Sequence, residues 1–163
     1  MATTAEDDGR GETPLHWAAS SDDVEVAEAL IDGGANLEVR GGSIAGGTPL
    51  NNAVAYACWR VARLLVARGA RVELLWHAAG LGMTSRVAEF LAQPDPPSSE
   101  DVNNAFWQAC SGGRRRTAEL LLAHGADLNW TPHYAEQTPL AIASGLDTGR
   151  QALVGWLREQ GAR

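Results

Sequence analysis

Apolar residues recur along this chain at helical spacing, in short runs that glycines and polar turns separate. Val61, Leu64 and Leu65 fall on one face of a helix, and Leu120 and Leu121 occupy the same place in a later run. Each apolar run is only a few residues long, too short for a helix that crosses a membrane. The pattern predicts an all-α chain of short helices, each with one buried face.

One short motif recurs along the chain, and an apolar helical run follows each copy. The first copy reads Thr-Pro-Leu-His-Trp-Ala-Ala over residues 13–19, and the second begins 35 residues later. Further copies stand at residues 48–53, 104–109 and 138–143, with a degenerate copy at 75–79. A period of this length indicates a stack of similar units, each of which needs its neighbours to cover its apolar faces.

The residues of the motif suit the start of a helix, and glycines suit its end. Thr13 and Thr48 are predicted N-caps whose hydroxyls accept hydrogen bonds from free amides. The proline that follows each of them fits the first helical position. Glycines are predicted to end the second helix of each unit in a left-handed turn. They are Gly34, Gly69, Gly125 and Gly161.

These residues resemble the ankyrin-repeat family, whose Thr-Pro-Leu-His signature and period of about 33 residues they share. The resemblance implies an all-α ankyrin-repeat solenoid of about five helix-turn-helix repeats with projecting hairpin fingers. Residues 11–163 are expected to form a single ankyrin-repeat domain after a flexible N-terminus at residues 1–10. The repeats are expected at residues 11–44, 45–72, 73–100, 101–134 and 135–163.

The third repeat departs from this regularity on both sides. Only 4 positions separate Gly69 from Glu73, compared with 14 in the first finger, so a finger is expected to be missing before the third repeat. A Pro- and Ser-rich loop at residues 93–101 replaces the Gly-Ala ending, and Ser99 or Asp101 is expected to cap the next helix. Together these changes predict a notch at the middle of the stack.

Composition and charge exclude several classes of protein. The net charge of -7 argues against binding of nucleic acid, and the acidic N-terminus lacks the features of a secretion signal. Cys58 and Cys110 lie outside any metal-binding spacing and are expected to be reduced thiols in a cytoplasmic protein. All 13 cationic side chains are arginine, which indicates a GC-rich, bacterial genome. We expect a monomer that needs no metal, cofactor or membrane.

The segment Trp130–Glu136 is the first candidate binding site. It falls in a finger, whose tip normally carries Gly, Asn or Asp, yet it contains Trp130, His133 and Tyr134. Aromatic residues with polar groups are enriched at binding hot spots. The alternative is that these rings only pack against the adjacent finger and helix.

Further candidates follow from the resemblance, which implies which repeat positions face the concave surface. Those positions include Tyr56, Ser111 and Gln137. Trp76 and Trp107 stand where the signature has its histidine, and their larger rings are candidates to face the notch. The hydrogen bond that this histidine makes in the family is therefore expected to be absent at both places.

A histidine and a basic run each allow a structural and a functional interpretation. His77 is expected near the same surface, although a lone histidine on a helix is more often a structural hydrogen-bonding residue. The run Arg114-Arg115-Arg116 falls between the two helices of the fourth repeat. It is either a solvated loop or a contact for an acidic partner or a phosphate.

Two main classes of function remain, and a purely structural role within a larger assembly is a third alternative. The extended surfaces of a solenoid favour a protein–protein interaction module that binds a cytoplasmic partner through its fingers and concave groove. The alternative is a small-molecule-binding protein or enzyme that uses the notch, lined by His77, Trp107, His133 and Tyr134. No nucleophile elbow, metal spacing or phosphate loop is present in the sequence, so no catalytic residue is assigned. An exposed aromatic patch favours the first class, and an enclosed pocket favours the second.

Overall fold

The computed structural model describes residues 11–145 and 150–163, and all of its regular structure is helical. The helices form consecutive pairs joined by tight turns, and no strand occurs in the described residues. Their bounds are α1 Pro14–Ser21, α2 Val24–Asp32, α3 Pro49–Ala55, α4 Trp59–Ala67, α5 Leu75–Leu81, α6 Thr84–Leu91, α7 Ser99–Ser111, α8 Arg115–Ala123, α9 Pro139–Ala143 and α10 Gln151–Glu159. The predicted all-α fold class is confirmed.

The longest first helix, α7, begins earlier than its motif suggests. Its N-cap is Ser98, whose hydroxyl accepts a hydrogen bond from the Asp101 amide at 3.1 Å. The Asp101 carboxylate accepts in return from the Ser98 amide at 3.1 Å. The prediction that Ser99 or Asp101 caps this helix is therefore wrong for Ser99, while Asp101 takes part in the cap, because the reciprocal Ser98–Asp101 pair satisfies two free amides at once.

The motif threonines occupy the N-cap positions, but they do not all use their hydroxyls in the same way. Thr138 Oγ1 accepts from the Ala141 amide at 3.2 Å, as a capping hydroxyl should. Thr48 Oγ1 instead donates to Asn51 Oδ1 at 3.2 Å and makes no capping bond. The predicted cap is wrong at Thr48, because the side chain three residues later competes for its hydroxyl.

The glycines after the second helices have the predicted left-handed conformation. Their φ angles are 91° at Gly34, 100° at Gly69, 94° at Gly125 and 92° at Gly161. In each case the alanine that follows donates its amide to the carbonyl five residues earlier, which closes the helix end. This prediction is confirmed at all four positions.

The helices group into two compact units, of which the first ends at Val72 and the second begins at Glu73. In the first unit α1 packs on α3, and α2 packs on α4. Its core contains the fully buried side chains of Leu50, Val61 and Leu65. This unit therefore contains the first two helix pairs, each of which covers an apolar face of the other.

The signature histidine ties the two pairs of the first unit together. His16 is fully buried, and its Nδ1 accepts from the Thr13 amide at 3.1 Å. Its Nε2 must then carry the proton and donate to the Gly47 carbonyl, which lies 3.0 Å away. This bond fixes the end of the first finger against α1.

In the second unit α7 lies between α5 and α9, and α8 packs on α6 and α7. Phe106, Leu121 and Leu157 are fully buried in its core. The central place of α7 explains why its inward residues are nearly all inaccessible, polar ones included. The same helix provides the framework for the candidate site.

Some predictions concern features that the structure leaves open. The expected flexible N-terminus at residues 1–10 lies outside the described residues, as do residues 146–149 of the last repeat. The single domain over residues 11–163, the missing finger and the central notch stay predictions. Across 11–145 and 150–163, no helix has the length and apolar character that a membrane span requires.

Candidate functional site

The candidate site lies in the second unit, where the finger segment, defined as residues 130–137, follows α8. A tight turn leads into it, since Asp127 Oδ1 accepts from the Asn129 amide at 2.9 Å. The Asp127 amide donates to Asn103 Oδ1 at 2.7 Å, which attaches this turn to α7. Within the segment, the Ala135 amide donates to the Pro132 carbonyl at 3.1 Å. The finger segment therefore has a defined backbone without any strand.

Tyr134 is the best-fixed exposed side chain of the segment. Its hydroxyl donates to Asn104 Oδ1 and accepts from Gln108 Nε2, 3.3 Å away. Burial raises the pKa of Tyr134, and the hydrogen bond from Gln108 opposes that rise. The residue is nevertheless 51% exposed. Its hydroxyl is thus held by α7 while part of its ring faces solvent.

Trp107 packs against the ring of Tyr134. Its indole ring meets the Tyr134 ring edge to face, with centroids 5.9 Å apart. Its Nε1 donates to the Gln137 carbonyl at 2.8 Å, and the whole residue is only 5% exposed. The structure thus places Trp107 in the core beneath the finger segment rather than on an open surface.

The hydrogen bond of Trp107 corrects an expectation from the sequence. His16 donates to the Gly47 carbonyl, and Gly47 directly precedes the motif threonine of the next repeat. Trp107 stands at the signature-histidine position of its own repeat, and its acceptor Gln137 directly precedes Thr138. The family's hydrogen bond is therefore present at Trp107, because an indole N–H can replace an imidazole N–H as donor.

The other ring residues of the finger segment differ in exposure. His133 is exposed and meets Tyr134 edge to face, with ring centroids 5.4 Å apart. Trp130 is half-buried, and Gln137 is exposed apart from the carbonyl that Trp107 uses. Together, His133, Tyr134 and part of Trp130 give the second unit a surface with aromatic character.

Ser111 and Tyr56, two candidates for the concave surface, have very different environments. Ser111 lies at the end of α7 and is 3% exposed, so it offers no contact to a partner. Tyr56 belongs to the first unit and is 49% exposed, with its hydroxyl 3.3 Å from Ser43 Oγ. Nearby, Glu12 Oε1 accepts from the Ser43 amide at 2.9 Å and from Asn52 Nδ2 at 2.8 Å. The amide hydrogen bond from Ser43 is the main reason that the pKa of Glu12 is lowered.

Trp76 and His77 lie side by side at the start of the second unit. Their rings meet at 4.3 Å, with Trp76 half-buried and His77 only 3% exposed. Neither ring nitrogen of His77 has a hydrogen-bond partner in the described residues. Burial lowers the pKa of His77 to about 4, so the ring is neutral near pH 7. The prediction that His77 is a structural hydrogen-bonding residue is therefore wrong.

Acid should destabilise the protein through His77. A histidine whose pKa is about 4 when folded and near its ordinary 6.5 when unfolded binds its proton more weakly in the fold. Stability is therefore lost as the pH falls from 6.5 toward 4, by about 2 kcal/mol between pH 7 and pH 4.5. Urea denaturation at these two pH values, on the wild type and on His77→Leu, measures this contribution.

The variant His77→Leu should lose less stability on acidification than the wild type does, by about that same 2 kcal/mol. His124→Gln, which replaces an exposed histidine, serves as the matched control for the loss of one histidine. An unchanged pH dependence in His77→Leu would show that the ring is not buried in its neutral form.

Asn104 and Gln108 hold the hydroxyl of Tyr134, but the sequence analysis did not identify them as site residues. Gln108 is 1% exposed, and its Oε1 has no hydrogen-bond partner in the described residues. The available signal was a polar residue placed between apolar neighbours on a buried helix, a pattern that calls for a partner. That partner, Tyr134, is 26 residues away along the chain, so local spacing does not identify it.

Metal ligands and cysteine thiols are two further kinds of group that a functional site can use. Among them, no group of three or more His, Cys, Asp or Glu residues is placed to hold a metal ion. The thiols are buried, and burial raises the pKa of Cys58 and brings that of Cys110 to about 12, which keeps both in the unreactive protonated form. The site offers exposed rings and hydrogen-bonding groups on a fixed framework.

The chain matches a family model over part of its length and is similar to solved structures. Residues 2–74 match the family model described as ankyrin repeats in three copies, which confirms the resemblance drawn from the motif. Among solved structures, the chain is similar to the human ASB11 ankyrin repeat domain, at 26% identity and a TM-score of 0.46 over 93% of this chain and 71% of that chain. It is also similar to the ankyrin repeat domain of Bcl-3, a unique member of the IkappaB protein family, at 26% identity and a TM-score of 0.47 over 94% and 74%.

Proposed function

We propose that this chain, which carries ankyrin repeats, binds another protein and that the finger segment provides the main contact. Ankyrin repeat domains generally mediate protein–protein interaction. The observation that carries the proposal is Tyr134, a ring 51% exposed whose hydroxyl is fixed by two side chains of α7. We take the chain to act as a monomer and its partner to be cytoplasmic.

The geometry of Tyr134 suits an anchor residue. A side chain that is already held in one rotamer loses little conformational entropy when a partner covers it. Tyr134 is held by its hydroxyl and by the edge of Trp107, and His133 extends the same surface. Tyrosine and tryptophan are enriched among the few residues that dominate binding energies. The finger segment thus combines the right residue types with preorganisation.

Exposure favours a macromolecular partner over a small molecule. Small-molecule sites enclose most of their ligand in a concave cavity, whereas Tyr134 and His133 are exposed on the surface of the second unit. The small-molecule alternative also requires His77 and Trp107 to line the cavity. These residues are 3% and 5% exposed and cannot touch a ligand in this conformation.

The double substitution Trp130→Ala, Tyr134→Ala should weaken partner binding by about 2 kcal/mol or more, which is about thirtyfold in affinity. The change removes the two largest rings of the finger segment. The partner is first recovered with the intact chain from the native cytoplasm and identified by mass spectrometry. Its affinity for both chains is then measured by isothermal titration calorimetry.

Tyr56→Ala provides the matched control, since Tyr56 is a tyrosine of similar exposure, 49%, in the first unit. It should retain affinity if the finger segment is the main contact. Tyr134→Phe keeps the ring and removes the hydroxyl that Asn104 and Gln108 hold, so it separates the contact from the preorganisation. Equal affinity of the double variant and the wild type would exclude the finger segment as the contact.

A further inference from the structure

A second surface of the second unit concentrates arginine side chains. We call it the basic rim and define it as residues 82–89, residues 112–119 and Arg150. It contains the turns between paired helices and the starts of α6, α8 and α10. The finger segment follows the opposite end of α8, a helix of 9 residues that is about 13 Å long. The two surfaces are therefore separate.

Two arginines of the rim pack over glycines of the preceding repeat. Arg114 Nε donates to the Gly80 carbonyl at 3.2 Å, and a Cβ at Gly82 would lie 2.7 Å from Arg114 Cδ. In the next repeat, a Cβ at Gly113 would lie 3.2 Å from Arg150 Cγ. Because these glycines have no side chains, Arg114 and Arg150 can occupy equivalent positions in successive repeats.

The helix starts at the rim are electropositive, and those of α6 and α8 are linked by a hydrogen bond. Thr84 Oγ1 lies 2.8 Å from Thr117 Oγ1, which brings the first turns of α6 and α8 together. None of α6, α8 and α10 has a side-chain cap, so the positive ends of their dipoles are not neutralised there. An open groove of about 590 Å³ lies at the start of α6, lined by residues 82–86 and Glu89.

In the first unit, the start of α4 is bound by an acidic side chain of the protein itself. Asp22 stands there, and its carboxylate accepts from the Val61 amide at 2.9 Å and from Arg60 Nε at 2.8 Å. A carboxylate of the protein thus already occupies the start of α4. In the second unit, Gly82 and Gly113 stand at the positions that correspond to Asp22. The helices that start beside them, α8 and α10, have no acidic side chain in the cap.

We propose that the basic rim binds an acidic protein segment, whose carboxylates take the place that Asp22 takes in the first unit. The rim carries five arginines and two glutamates in a chain whose net charge is -7. Both glutamates already pair within their own helices, Glu89 with Arg86 and Glu119 with Arg115. Arg116 is exposed and has no ion-pair partner in the described residues. A short peptide is favoured over a nucleic acid because the net charge of -7 of the whole chain repels a long phosphate backbone.

The test is a fluorescence anisotropy titration of the full chain with a labelled hexaglutamate peptide at low salt. The double variant Arg116→Ala, Arg150→Ala should bind the peptide about tenfold more weakly than the wild type does, since each rim charge contributes a modest attraction. Added salt should weaken wild-type binding, because exposed charges are screened. The rim variant should retain its affinity for the partner of the finger segment, so this proposal can fail without the proposed function failing.

The matched control is Arg40→Ala, Arg63→Ala, which removes two exposed arginines from the first unit and changes the net charge equally. It should weaken peptide binding by less than about twofold, because it leaves all five rim arginines in place. Equal losses in the two double variants would overturn the proposal, as would absence of hexaglutamate binding to the wild type. Tighter binding of a thymidine oligonucleotide of equal charge would also overturn it, by showing that the rim prefers phosphates.

Discussion

Replacing Trp107 with alanine should lower the free energy of unfolding by about 3–5 kcal/mol, the cost of removing a large buried aromatic side chain. The ring is 5% exposed, and its Nε1 donates to the Gln137 carbonyl at 2.8 Å. The substitution leaves a cavity beneath the finger segment and an acceptor without its donor. It also removes the edge-to-face support of Tyr134, so the finger segment should lose its fixed geometry.

Urea denaturation followed by far-UV circular dichroism measures this loss. Trp17→Ala is the matched control, since Trp17 also lies in the first helix of its repeat but is 66% exposed. Its removal should change stability by less than about 1 kcal/mol. Trp107→Phe keeps most of the volume and removes only the hydrogen bond, so its cost should fall between the two. A loss below about 1 kcal/mol for Trp107→Ala would contradict the core position of this residue.

The sequence predicted the elements that depend on local chemistry. The helix ends at Gly34 and Gly125 follow from the conformational freedom of glycine in a left-handed turn. The helical runs follow from the spacing of apolar residues, and the motif carries the resemblance to ankyrin repeats. Each of these signals lies within one repeat, and its recurrence along the chain identifies the stack.

Burial within the repeat was harder to predict, because it depends on neighbouring elements. Trp17 and His77 occupy the same position of the motif, directly before its alanine pair, yet they are 66% and 3% exposed. The candidate site has the same difficulty, since Tyr134 gains its fixed position from Asn104 and Gln108, 30 and 26 residues earlier. Contacts between repeats determine these features, and no pattern within one repeat contains them.

The same contacts between repeats can be tested with the smallest possible change, one added methyl group. Gly112→Ala should destabilise the protein by about 3 kcal/mol, because the backbone of α5 leaves no room for the added atom. Gly112 has φ −79° and ψ −4°, which alanine adopts freely, so backbone strain does not contribute. A Cβ at this position would lie 2.2 Å from the Gly80 carbonyl oxygen, and α5 would have to move away from α7.

Gly155→Ala is the matched comparison, since Gly155 lies inside α10 and a Cβ there would meet nothing within 4 Å. This substitution should raise the free energy of unfolding by about 0.5–1 kcal/mol, the helix preference of alanine over glycine. The two variants add the same group to the same unit and should therefore change stability in opposite directions under urea denaturation. A similar small effect of both would mean that α5 and α7 are not in close contact at Gly80 and Gly112. If only Gly112→Ala greatly lowers the free energy of unfolding, the contact between α5 and α7 determines the stability of the second unit more than helix propensity does. The finger segment depends on that unit.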